Sequence, residues 1–230
     1  MIIKNYKESK FLKYDYQAIY QNMLQPVSPK EYSCFDEFSS DFELYIDMIM
    51  REVGLDYFPH PEKYPYFQLE YENFPVFIPE NADESGKEIP FILGSISNMY
   101  PIKHNIKPSG FIFDDFSYLQ IDITLAHSLN DRKIYLLFHS FHYGRMRNSK
   151  EVYFFRYDKE SDHEIKSDGE IISLDYKPIH HFHGNSDDPH FEDREISWEE
   201  KITKVINIIR INLPRLLDKY KECDDIQKVF

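Results

Sequence analysis

DRKIYLLFHSFHYGRMRNSKEVYFFRYDKE, residues 131–160, decides the fold. Both halves are rich in Tyr, Phe, Leu, Ile and Val, which suit a pleated, half-buried backbone. The segment RMRNSK (145–150) between them predicts a compact turn, so the pair reads as an antiparallel hairpin. On a strand, residues two apart share a face. Tyr135, Leu137, His139, Phe141 and Tyr143 then line one face of the first strand, and Leu136, Phe138, Ser140 and His142 the other. On the return strand Tyr153, Phe155 and Tyr157 oppose Val152, Phe154, Arg156 and Asp158. Arg156 and Asp158 thus share a face where the chain leaves the sheet.

The neighbouring segments extend this pattern. GFIFDDFSYLQIDITLAHSL (110–129) supplies one or two strands upstream, and EIISLDY (170–176) a short one downstream. ISWEEKITKVINIIRINLPRLLDKYKE (196–222) reads as a helix. Ser197 stands three residues before Glu200, the capping-box spacing, and Trp198, Ile202, Val205, Ile206, Ile209, Leu213 and Leu216 form an apolar stripe that Pro214 interrupts. Near the N-terminus, Phe38, Phe42, Tyr45, Ile46, Ile49 and Val53 predict a helix over about 37–53, ended by Gly54. Seven prolines between 59 and 101 exclude a long helix there and leave short extended pieces, YFQLEY (66–71) and PVFI (75–78), suited to sheet edges. The expected class is α+β: a mainly antiparallel sheet covered by a C-terminal helix. Residues 109–230 form this sheet-plus-helix domain with its histidine-rich loop. Residues 1–108 are an N-terminal helical and irregular elaboration on the sheet, or a small subdomain.

Composition bounds the function. The 230-residue chain buries a sizeable core without needing a disulfide or a metal to fold. Its two cysteines, Cys34 and Cys223, lack the CxxC spacing of a finger-type zinc site. No export signal and no apolar run of membrane-spanning length is apparent, so a cytoplasmic protein with reduced thiols and no membrane association is expected. The net charge of −13 opposes nonspecific coating of nucleic acid and serves simple solubility first, or a basic protein partner. P-loop, Rossmann and nucleophile-elbow motifs are absent.

Chemistry concentrates in histidine. Eight of the ten histidines lie between 127 and 190, and four fall in PIHHFHGNSDDPHF (178–191). Histidine supplies both metal-ligand nitrogens and proton transfer near neutral pH. If HHFHG is extended, His181 and His183 point one way and His180 and Phe182 the other. Asp187, Asp188 and His190 follow within seven residues of His183. His181, His183, Asp188 and His190 are candidate ligands for a divalent metal, although the spacing matches no established metalloenzyme motif. The same groups serve equally as general acids and bases. His139, His142, Arg145, Arg147 and Lys150 form a weaker candidate, a local positive patch at a solvated hairpin tip.

The order of FFRYD (154–158), HHFHG (180–184), DDPHF (187–191) and a closing amphipathic helix resembles the TumE-type toxin family of toxin–antitoxin modules over roughly residues 115–213. Phe155, Arg156, Tyr157 and Asp158 match its F-R-[YW]-D segment, and His180, His181, His183, Pro189 and His190 its histidine-rich stretch. Lys159 stands where the family typically carries Asn. The resemblance implies a growth-inhibiting toxin or defence effector with an antitoxin as partner. The expected site combines Arg156, Asp158, His181, His183 and His190 for phosphodiester cleavage of RNA. A noncatalytic module that binds a basic partner and a metal-dependent hydrolase are the alternatives.

Overall fold

A computed structural model describes residues 9–11, 26–52, 67–79, 88–99, 110–113, 117–147, 150–160, 163–165, 171–173, 178–183, 190–192 and 200–210. Helix α1 spans Phe35–Glu52 and buries Phe35, Phe38, Phe42, Ile46 and Ile49, the three-and-four spacing read from sequence. Its start is tied by Glu37, whose carboxylate accepts the Ser33 backbone N–H at 2.9 Å and the Ser33 hydroxyl at 2.8 Å. Those bonds and Lys30 lower the Glu37 pKa to about 2.

The strands are β1 (Gln68–Tyr71), β2 (Val76–Pro79), β3 (Glu88–Ser97), β4 (Phe111–Ile112), β5 (Ser117–Ser128), β6 (Ile134–Arg147), β7 (Lys150–Lys159), β8 (His163–Ile165), β9 (Ile171–Ser173), β10 (His180–His183) and β11 (His190–Glu192). Nine form one sheet in the order β1-β3-β5-β6-β7-β10-β11, with β2 also on β3 and β4 also on β5. Every pairing in it is antiparallel. The segment EIISLDY contributes β9, which pairs with β8 in a separate two-stranded sheet. Residues 200–210 form helix α2. Ser197, Gly54, Pro214 and Cys223 lie outside the described residues.

Four expectations need correction. The main sheet does not begin near 109: β3 pairs with β5 over seven register positions, so residues before 109 supply three of its strands. Pro90 disguises β3, yet the β5 ladder starts only at Phe91 and Pro90 needs no amide there. Gly94 fits because a Cβ at that position would lie 2.9 Å from the Glu70 carbonyl and 3.2 Å from the Phe35 ring. Second, alternation along β6 is broken by a register shift between Thr124 and Leu125. Leu137 therefore packs with Phe138, while Leu136 joins Phe141 and Tyr143. Third, 145–150 is not a six-residue turn, since β6 runs to Arg147 and β7 resumes at Lys150. Fourth, Arg145 is buried in the sheet, so it belongs to no solvated tip.

Both helices cover one face. Phe38, Phe42 and Ile46 of α1 and Ile202, Val205, Ile206 and Ile209 of α2 join Ile96, Ile121, Phe141, Tyr143 and Tyr157 in the main core. At the α2 end, Tyr157 and Phe182 stack at 4.3 Å and 13°, and the Lys204 ammonium lies 4.7 Å from the Phe182 ring. A stacked aromatic pair adds about 0.5–1.5 kcal/mol beyond its buried area. The opposite face carries a smaller apolar cluster of Val76, Phe91, Leu93, Ala126, Leu137 and Phe138, and beside it a polar region.

Candidate functional site

Adjacent antiparallel strands place register partners side by side on one face, about 4.5–5.5 Å apart at Cα. The face turned from the helices therefore carries two polar rows. One runs Asp122, Ser140, Asp158, His181 across β5, β6, β7 and β10. The next runs Gln120, His142, Arg156, His183. Strand β10 is extended, so His181 and His183 enter these rows while His180 and Phe182 turn to the helix-covered face.

Four of the residues singled out from sequence meet here. The Arg156 Nε donates to Asp158 Oδ2 at 2.7 Å, and Arg156 Nη2 lies 3.1 Å from His183 Nε2. A guanidinium can only donate, so in that contact His183 Nε2 is the acceptor. His183 Nε2 and His181 Nε2 lie 3.3 and 3.8 Å from Asp158 Oδ2. The His181 Nδ1 lies 2.6 Å from the Pro178 carbonyl oxygen, which fixes its proton on Nδ1. The two rings meet edge to face at 4.8 Å.

Burial differs across the cluster. Asp158 and His181 are fully enclosed, His183 nearly so, and the Arg156 side chain is 35% exposed. Asp158 Oδ1 has no hydrogen-bond partner among the described residues. Arg156 is thus the member that links the enclosed carboxylate to the outside. A metal is also sterically conceivable: one ligand atom each from Asp158, His181 and His183 lie within 4.8 Å of one another. Such a cation would compete with Arg156 for the His183 Nε2 lone pair.

His190 is in register with His183 on β11, which places its backbone beside the cluster. Asp187 and Asp188 lie outside the described residues. Sequence reasoning missed Asp122 and Gln120, and set His142 at a hairpin tip. The signal was alternation in β5, where Gln120, Asp122 and Thr124 are polar at every second position. His139 lies on the other face near Phe141 and Tyr157. Burial, and then Lys201, Lys159 and His180, push its pKa well below the ordinary histidine value. His127 is a structural tie, its Nε2 lying 3.0 Å from the Tyr32 carbonyl oxygen, and burial lowers its pKa.

Compared with models of protein families, with curated proteins and with solved structures, the chain matches none.

Proposed function

We propose that the Arg156–Asp158–His183 cluster cleaves phosphodiester bonds in RNA, within a growth-inhibiting toxin or defence effector of the TumE type. The observation that carries this reading is the bridging guanidinium. Arg156 bonds Asp158 with Nε and His183 with Nη2, is partly exposed, and retains further N–H donors for a phosphate oxygen. Arg156 would hold the phosphate and stabilise charge developing on it. His183, adjacent to it, would take the proton of the attacking 2′-hydroxyl at Nε2. Asp158 keeps the guanidinium in place, and fully buried His181 brings its Nε2 to 3.8 Å from Asp158 Oδ2. The net charge of −13 suits a basic antitoxin as the neutralising partner.

Purified protein should cut a labelled RNA to a 2′,3′-cyclic phosphate and a 5′-hydroxyl. Arg156→Ala and His183→Ala should each lower kcat by about 10²-fold or more. Equal cleavage by all three proteins would remove the proposal.

One observation favours a metal-dependent hydrolase as a second reading. A metal-binding histidine commonly donates its other ring N–H to a carbonyl, as His181 does to Pro178. In that reading Asp158, His181 and His183 would hold a divalent cation, which would supply Lewis-acid activation of a water. Calorimetric titration with zinc or manganese separates the two. Binding that His181→Ala abolishes, with activity lost to chelator, would favour the metal.

A further inference from the structure

The site needs a second proton-transfer group that the cluster does not contain. In-line cleavage requires one group to take a proton from the nucleophile and another to give one to the leaving oxygen. His183 can do the first, but His181 is fully buried. We propose that His142, held by Glu151, is the general acid, facing His183 across Arg156. This rests on the phosphodiester reading above.

Three independent features of the fold build this residue into place. His142 is the register partner of Arg156 on β6, and His183 is its partner on β10. The two histidines therefore flank the arginine in one row, about 10 Å apart at the backbone. The His142 side chain is 23% exposed, so substrate can reach it. Second, His142 Nε2 lies 2.6 Å from Glu151 Oε1. The same oxygen accepts the Tyr118 hydroxyl, and the Tyr118 ring stacks on the imidazole at 5.9 Å and 18°. The carboxylate fixes the imidazole's orientation, the role of the acidic member in a catalytic triad. Third, Glu151 reaches this face only through a β-bulge. Register passes from Arg145↔Tyr153 to Met146↔Glu151 and skips Val152, which turns Glu151 onto the Arg156 face. Gly144 completes the arrangement. A Cβ there would run into Glu151 Oε1 and stand 2.7 Å from the Tyr118 hydroxyl.

The step balances. The 2′-oxygen attacks phosphorus and its proton passes to His183 Nε2, once Arg156 has turned its Nη2 to the phosphate. The P–O5′ bond breaks, and the departing oxygen takes a proton from His142.

Leaving-group dependence tests this directly. Wild type, His142→Ala, His142→Gln and Glu151→Gln are assayed on a uridylyl-adenosine dinucleotide and on uridine 3′-(4-nitrophenyl phosphate). Nitrophenolate departs without a proton, so it bypasses a general acid. His142→Ala should lower kcat/KM on the dinucleotide about 10²-fold or more, and on the nitrophenyl ester less than about threefold. His142→Gln can still donate to Glu151 and preserve the fold, yet should show the same split. Glu151→Gln should show a smaller loss in the same direction. Equal losses on both substrates, or none on the dinucleotide, would overturn His142 as the acid and leave the phosphodiester reading standing. If wild type cleaves neither substrate, both proposals fall.

Discussion

The two faces of the sheet bury comparable strands under opposite chemistry. On β7, Phe155 and Tyr157 turn into the apolar core under α1 and α2, while Arg156 and Asp158, alternating with them, turn to the polar rows. On β10, Phe182 stacks on Tyr157 while His181 and His183 close on Asp158. The helix-covered face is held mainly by apolar burial, and the region around Asp158 on the other by directional bonds among a few charged groups. A substitution on the first should cost stability. One on the second should cost activity before it costs stability.

The largest stability effect is expected on the helix-covered face. Phe141→Ala removes a fully buried ring and should destabilise by about 3–5 kcal/mol in denaturant unfolding. Asp158→Ala, one face over, should cost only about 1–3 kcal/mol, because partly exposed Arg156 can turn to water. Its RNA cleavage should nevertheless fall at least as far as that of Arg156→Ala. If Asp158→Ala proved the more destabilising of the two, the division between faces would fail.

Histidine on the core face gives an intermediate effect that depends on pH. The folded protein resists protonating His139 and His127, whose pKa values are lowered, whereas the unfolded chain protonates them near 6.5. Their contribution is therefore complete above about pH 6.5 and is lost as pH falls below it, by up to about 1.4 kcal/mol per pH unit for each such group. His139→Phe should flatten the stability profile between pH 6.5 and 5, and an unchanged slope would show that His139 is not buried neutral. The smallest effect is expected at Leu44, 69% exposed on the outside of α1, where Leu44→Ser should stay within about 0.5 kcal/mol.

Period-two alternation made much of this legible. It set Arg156 with Asp158 and His181 with His183 before any strand was placed. It could not show that β10 pairs with β7, because strand neighbours depend on the whole sheet. Strand β3 was hidden in the proline-rich stretch 59–101, and only the neighbouring backbone reveals that Pro90 and Gly94 are tolerated within it. The shift at Thr124/Leu125 defeated the face assignment of Leu137 for a related reason. Bulges change parity, and a sequence carries no mark of where the extra residue sits. Skipping Val152 likewise brought Glu151 to His142, a pairing that simple alternation forbids.

The most direct test of the polar face as an active site is cleavage of a labelled RNA by wild-type and His183→Ala protein, each with and without chelator. The account predicts cyclic-phosphate product from wild type in both conditions and a loss of about 10²-fold or more in the variant. Undiminished cleavage by His183→Ala, or wild-type cleavage abolished by chelator, would contradict it.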